Sequence, residues 1–531
     1  MKKVFLFLLV ALFCSPHILA QESVPIIPLP IEAEKKEGAF QIDIHTPLLV
    51  SSPILKDIAH YFRTEMLRLK SMPLTIQKEA SVPAISFELT DDIQGEEAYE
   101  IGVEMEGVTL KGSTPEGVFN AAVSVLQLIT NSQHTGEKIQ IDNWKIKDKP
   151  HYKWRGLMLD ESRFFMGKEK VKSILDWMAF YKLNRFHWHL TDESGWRIEI
   201  KKYPKLALIG GIGNHNDPEK PAAYYTQKEI EEIVDYAAKR NITVIPEIDM
   251  PGHATAANRA YPQYSGGGSE KYPEFTFDPG NPETYTYLTH ILRETNVLFP
   301  SNMIHLGGDE VSFGSEKWKE NEGIQQLMAK YGLENLNEVE YHFMKQMADS
   351  VYKMNAKVLV WDELAASDLP RDKTIIYWWR HDKPQQLQLA LEKGYQTVLC
   401  PRLPYYFDFV QDSVHRIGRK WDGGYNSLQD VYSFSADSLL KNKDQLSLIK
   451  GIQANLWAET ITSLNRVDYL LFPRLAALAE ATWTPEENRS FTAFEDRLKL
   501  HLELYRAQRV YFYNPFNPQE TPEPVFLKKG N

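Results

Sequence analysis

The chain has 531 residues, 43% of them hydrophobic and 25% charged, enough to bury one large core and to build a second domain beside it. Sixty basic against 71 acidic residues give a formal charge of −11, which argues against a nucleic acid or an anionic membrane surface as partner. Beyond the first twenty residues no stretch approaches the apolar length that spans a bilayer.

Residues 1–20 place Lys2 and Lys3 before an apolar run from Val4 to Phe13 and a cleavage point after Ala20, the pattern of a bacterial export signal. The mature chain is therefore expected in the periplasm or outside the cell, with its formal charge moved to −13 by the loss of the two lysines. Cys14 offers a lipid-anchor alternative, but Phe13 before it is bulkier than such a signal normally tolerates. The only other cysteine is Cys400, so a chain cut after Ala20 forms no internal disulfide and rests on core burial.

Residues 21–148 read as a small α+β domain. Strand-like alternation runs over Tyr99–Val103 and Val108–Lys111, and Ser113 and Thr114 open a helix from Pro115 to Thr130. No cluster of polar residues there suggests chemistry, so the expected role is structural or positioning.

From residue 149 to 487 the pattern changes to short apolar strands, most of them separated by amphipathic segments of helix length. Strands are expected to begin near Trp154, Arg185, Thr243, Met303, Lys357, Thr374, Gln396 and Gly451, with helices such as Lys168–Tyr181, Gln227–Lys239 and Pro282–Leu298 between them. Eight such units spell a (β/α)8 barrel, although little room is left for a helix between Trp361 and Thr374. Residues 488–531 are expected to give a closing helix to Gln508 and then a proline-rich coil without fixed structure.

Barrel enzymes place reactive groups at the carboxyl ends of their strands. Just past the first four strands stand Asp160 and Arg163, then Asp192, then Asp249 and His253, then Asp309 and Glu310. Later strands are followed by Trp361, by Trp378, Trp379 and Arg380, by Tyr406 and Asp408, and by Trp457 and Glu459. Any one of these acids is more simply read as a helix cap, since 71 acidic residues guarantee chance placements. Their recurrence strand after strand is what the barrel rule demands.

In His305-Leu306-Gly307-Gly308-Asp309-Glu310, two glycines let the backbone turn sharply before adjacent acids. Neighbours in a turn do not flank a glycosidic bond at the roughly 5–5.5 Å separation of an ordinary acid and carboxylate nucleophile. A substrate acetamido group can supply the nucleophile instead, with Asp309 orienting its N–H and Glu310 acting as acid and then base. That role asks burial or neighbours to raise the Glu310 pKa. Trp361, Trp379 and Trp457 are candidates for an apolar box around the acetamido methyl, against the simpler reading that tryptophans fill the core.

Four segments carry a resemblance to a known family: Trp154 to Arg163, His187 to Asp192, Pro246 to His253, and His305 to Glu310. They resemble glycoside hydrolase family 20, the β-N-acetylhexosaminidases, and the match extends over nearly all of the mature chain. The resemblance implies an enzyme acting on oligosaccharides or glycoconjugates with a terminal GlcNAc or GalNAc, with neither metal nor cofactor. It implies Glu310 as acid and base and Asp309 as the group that polarises the acetamido unit. Tyr406 would bond the acetamido carbonyl, and Trp361, Trp379 and Trp457 would box the methyl. Arg163, Asp408 and Glu459 would grip the terminal sugar, with Asp192 and His253 supporting Glu310. Trp379 is chosen over Trp378 because Arg380 follows it, and Glu193 and Ser194, where the family often has Asp and Gln, receive no role.

Two other readings compete. His187-Trp188-His189 puts two imidazoles on one side of a strand, which with His253 and Asp309 could hold a metal; activity after exhaustive chelation separates that reading. A sugar-binding protein without chemistry is the second, and intact Asp309 and Glu310 speak against it.

Overall fold

The computed structural model describes residues 24–524 except 81, 82, 136 and 441, so the expected export signal and Cys14 lie outside the described residues. Residues 24–148 form a mixed sheet. Its strand order is Glu32–Ile42, Lys138–Asp148, Tyr99–Glu104, Gly107–Gly112, Ala84–Leu89, Pro47–Val50 and Thr75–Gln77, with Gln133–Thr135 paired beside the second of these. Period-two alternation puts Tyr99, Ile101, Val103, Val108 and Leu110 on the buried face, where helix Pro115–Thr130 covers them and helix Lys56–Lys70 packs beside it over Pro47–Val50 and Thr75–Gln77. The second helix starts as the sequence suggests: Pro115 takes its first turn and the Thr114 hydroxyl accepts the Gly117 N–H.

That helix is buried on nearly every side because it lies between the sheet and the next domain. The Gln127 amide donates to the carbonyls of Ile27 and Phe180, both at 2.7 Å. Glu97 pairs with Arg155 at 2.6 Å, and buried Asp148 meets Lys182 at 3.6 Å and the Trp483 indole N–H at 2.9 Å. Arg155, Lys182 and Asn184 stand at the amino ends of the barrel strands, so the small domain grips the end of the barrel opposite the site described below.

The barrel strands are β1 (Trp154–Asp160), β2 (Arg185–His189), β3 (Thr243–Glu247), β4 (Met303–His305), β5 (Lys357–Trp361), β6 (Thr374–Trp378), β7 (Gln396–Leu399) and β8 (Ile449–Leu456). All pair in parallel with their chain neighbours, and β8 closes on β1 with Gly451 opposite Trp154. The fold is thus a (β/α)8 barrel preceded by a small α+β domain. Helix Gln227–Ala238 opens with a reciprocal Thr226–Glu229 capping box, and Pro282–Leu298 is capped by Asn281. The cramped stretch after β5 holds one 3-10 turn, Asp362–Ala366, in place of a helix. β8 begins two residues before Gly451, where the pairing with β7 slips register.

One expectation fails. Past helix Phe491–Ala507 the tail has no regular element, yet it packs against the barrel as far as Pro524, with Phe512 and Tyr513 buried. Glu523 accepts the backbone N–H groups of Arg416 (2.6 Å) and Ile417 (3.2 Å) and pairs with Arg466 at 2.9 Å. Proline content marked the absence of helix correctly, but the aromatic side chains that anchor the coil outweigh it. Cys400 is a buried free thiol, and among the described residues no helix is long and apolar enough to cross a membrane.

Candidate active site

After β1, Asp160 closes a turn by accepting the N–H groups of Ser162 (2.9 Å) and Arg163 (3.1 Å), while its other oxygen takes the Ala458 N–H beyond β8 at 3.0 Å. The turn sends the Arg163 guanidinium to Asp192 at 2.5 Å. After β2, a two-residue ladder between Thr191–Asp192 and Gly195–Trp196 points Asp192 inward. Its carboxylate receives three cations, Arg163, His189 (2.7 Å) and His253 (2.9 Å), which outweigh burial and hold it well below the usual carboxylate range.

The acid pair owes its geometry to the turn after β4. Gly307 and Gly308 have φ of +68° and +91°, and Glu310 itself sits at +52°. A Cβ at Gly307 would fall 1.7 Å from an Asp249 carboxyl oxygen and one at Gly308 2.4 Å from Leu364, so only glycine fits. Left-handed backbone at a non-glycine residue costs about 1–3 kcal/mol and concentrates at functional sites. Here it turns consecutive side chains onto one partner: the His253 imidazole Nε2 lies 3.6 Å from Asp309 Oδ2 and 3.7 Å from Glu310 Oε2. Burial raises the Asp309 pKa to about 7, with the His253 cation opposing and the Glu310 charge adding. Asp309 is the more buried of the two acids, and the Glu310 side chain keeps 35% of its surface exposed. Burial alone would depress the His253 pKa; Asp192 and Asp309 lift it instead to about 10.

The far wall is aromatic. Trp379 stacks on Tyr406 with centroids 6.1 Å apart and planes 9° apart, and Trp457 lies 6.0 Å from Tyr406 and 6.1 Å from Trp361. Trp378 packs outward into the core between barrel and helices, whereas Trp379 joins this cluster at the mouth. The Arg163 guanidinium lies 5.2 Å above the Trp457 ring.

These residues enclose a cavity of about 120 Å³ lined by Arg163, His253, Asp309, Glu310, Trp379, Tyr406, Trp457 and Glu459, together with Glu193, Tyr272, Phe313 and Arg419. Asp192, Trp361 and Asp408 stand behind that lining. Asp408 is covered by Arg419, whose guanidinium lies 3.6 Å from it and 2.5 Å from Glu459. Asp309 Oδ1, both Asp408 oxygens and Glu459 Oε2 are buried with no protein hydrogen bond, the acceptors that a hydroxyl- and amide-bearing ligand would satisfy. Across Glu310, Phe313 and Trp379 the cavity adjoins a larger one of about 430 Å³ reaching Glu340, Arg380, Gln386 and Arg402.

Arg419, Tyr272 and Phe313 escaped the sequence reading because each sits in a long loop without periodic signal. Glu193 stands 3.7 Å from Arg163 and acquires a place in the lining. Four sets of three acid or histidine side chains among the described residues bring ligand atoms within 4.8 Å of each other. Three of them use His189 or His253, whose ring nitrogens already lie against the carboxylates of Asp192, Glu247 or Asp309. The fourth, His187, Glu247 and His305, is sealed inside the barrel below the cavity.

An acid pair at the carboxyl end of a parallel eight-stranded barrel, facing a pocket with unpaired acceptors and an aromatic wall, defines a barrel glycoside hydrolase. The catalytic-domain model of glycosyl hydrolase family 20 matches residues 152–486 and the model of that family's domain 2 matches residues 23–149; the chain belongs to this family. It is 33% identical over 494 residues to a beta-hexosaminidase of Porphyromonas gingivalis, a match covering 90% of this chain and 62% of that longer protein. A beta-hexosaminidase of Akkermansia muciniphila is 30% identical over 507 residues, covering 91% of this chain and 98% of the relative. The crystal structure of an exo beta-N-acetylglucosaminidase from Vibrio harveyi bound to N-acetylglucosamine superposes with a TM-score of 0.87 at 30% identity, covering 93% of this chain and 79% of that one.

Proposed function

We propose that the protein is an exo-acting β-N-acetylhexosaminidase that removes terminal non-reducing GlcNAc or GalNAc with retention, using the substrate's own acetamido group as nucleophile. The observation that carries this reading is that consecutive acids after β4 both reach His253 Nε2, at 3.6 and 3.7 Å, while the buried Asp309 Oδ1 is left without a protein partner, an acceptor suited to an amide N–H. Asp309 accepts the acetamido N–H, which raises the electron density on the carbonyl oxygen. That oxygen attacks the anomeric carbon as the glycosidic C–O bond breaks, and the Glu310 proton passes to the departing oxygen. The resulting oxazoline is opened by water, which gives a proton to Glu310 and restores the original anomeric configuration.

Trp361, Trp379 and Trp457 suit the acetamido methyl, and Tyr406 the acetamido carbonyl. Arg163, Asp408 and Glu459 suit the sugar hydroxyls, with Arg419 swinging off the two acids as sugar enters. Glu310 stands where the two cavities meet, so the leaving group extends into the larger one. The names of the relatives support the same activity. The leader-like residues 1–20 support export, which fractionation of cells carrying a tagged chain would test.

The deciding experiment uses aryl N-acetyl-β-glucosaminides. The wild type is expected to release the phenol with retained product anomer. In Asp309→Asn, turnover should fall by about 10²-fold or more, with loss of the usual drop in rate from N-acetyl to N-trifluoroacetyl substrates. An inverted product, or an Asp309→Asn enzyme with wild-type N-acyl sensitivity, would reject substrate assistance.

A further inference from the structure

Below the acid pair lies a buried carboxylate that the reaction as written does not use. Glu247 ends β3 with His189 of β2 and His305 of β4 as its ladder partners, so its side chain emerges inside the barrel between two imidazoles. It is fully buried, and no lysine or arginine pairs with it among the described residues. Oε1 accepts the Trp361 indole N–H at 2.9 Å and lies 2.9 Å from His305 Nδ1. Oε2 meets His189 Nδ1 at 2.5 Å and His187 Nε2 at 3.0 Å.

From His189 the chain of contacts continues upward: Nε2 to Asp192 Oδ2 at 2.7 Å, then Asp192 Oδ1 to His253 Nδ1 at 2.9 Å, then His253 Nε2 to the acid pair. Burial opposes a charge on His189, but Glu247 and Asp192 overcome it and keep the ring an imidazolium that donates to both. A buried carboxylate is a poor source of stability compared with apolar packing, so stability gives little reason for a charge here. Its two oxygens, however, point to different parts of the reaction. One fixes a wall of the acetamido box, and the other fixes the relay that orients Glu310.

We propose that Glu247 is a positioning residue that couples the two halves of the reaction, holding Trp361 for acetamido participation with one oxygen and the His189–Asp192–His253 relay for proton transfer with the other. This rests on the substrate-assisted reading above. Only a carboxylate serves both, because it offers acceptor sites on each oxygen. Glutamine keeps one acceptor oxygen and turns an NH2 toward the other N–H, leaving buried donors face to face.

The test reads two sensitivities in one enzyme. Aryl substrates of increasing phenol pKa report proton donation by Glu310, and N-acetyl to N-trifluoroacetyl substrates report carbonyl participation. Wild-type turnover with retained product is established first, which separates failure of the reaction class from failure of the coupling. Glu247→Gln is expected to lower kcat about 30- to 100-fold with KM changed less than about 3-fold, and to alter both sensitivities. His189→Gln should alter the leaving-group series alone and Trp361→Phe the N-acyl series alone. A Glu247→Gln enzyme that loses one common factor on every substrate, as a less stable fold would, overturns the proposal, and so does one that behaves as wild type. If Glu247→Gln does not fold, His189→Gln and Trp361→Phe combined decide: coupling beyond about 3-fold supports the link through Glu247, and simple multiplication of the two losses rejects it.

Discussion

The two halves of the barrel mouth are built from different chemistry. Strands β1 to β4 end in charge: Asp160, Arg163, Asp192, His253, Asp309 and Glu310 form a continuous set of ion pairs and short contacts. Strands β5 to β8 end in rings, with Trp361, Trp379, Tyr406 and Trp457 in mutual contact, and in four carboxylates: Asp362 and Glu363 paired with Arg380, and Asp408 and Glu459 beside Arg419. The charged half can move a proton because each group has a partner that compensates its charge in a low-dielectric setting. The ring half fixes shape, and its carboxylates sit against Arg380 or Arg419. A charged and a mainly aromatic half thus face each other across one cavity.

The sharpest way to probe that division is Glu310→Gln, which removes a donor and changes little shape. It should lower kcat by about 10³-fold or more on substrates with poor leaving groups while leaving ground-state binding near wild type. Turnover within tenfold of wild type would place the proton donor elsewhere.

A smaller effect is expected on the seam. Trp457 touches both halves, with Arg163 above its ring and Trp361 and Tyr406 beside it. Trp457→Phe should cost roughly tenfold in kcat/KM, borne mainly by KM if the rings serve recognition. A loss confined to kcat with an altered leaving-group series would blur the division.

The smallest effect concerns stability. Asp309 has a pKa of about 7 in the fold against an ordinary 3.8, so the folded state holds its proton more tightly than the unfolded chain does. The stability it contributes is full below about pH 4 and is lost as pH rises through 7. Asp309→Asn is therefore expected to melt later than wild type at about pH 8, by on the order of 1 kcal/mol, with the advantage gone at about pH 4. Equal melting curves at both values would remove burial as the cause of the raised pKa.

The barrel was readable because strand ends follow a rule: seven of the eight expected strand starts coincide with the observed ones, and the eighth, Gly451, lies inside its strand. The placement of Asp309 and Glu310 past β4 was readable for the same reason, with two glycines announcing a turn. Glu247 stood in a segment already singled out, yet its role depends on the register that sets it between His189 and His305, which no local pattern encodes. Arg419 is harder still, since the pairing of β7 with β8 and the course of the long loop between them, neither marked by a local pattern, bring it against Glu459. The tail failed through composition, since proline content predicts missing helix and says nothing about where Phe512 and Tyr513 dock.

That tail reaches further than its position suggests. Glu523 buckles down the backbone at Arg416 and Ile417, and two residues on, the same loop delivers Arg419 to Asp408 and Glu459. A chain clipped just ahead of Glu523, by design or by a protease, would keep its whole barrel and acid pair while slackening the loop that guards Asp408. Weakened substrate binding by such a product would be easily mistaken for damage at the acid pair.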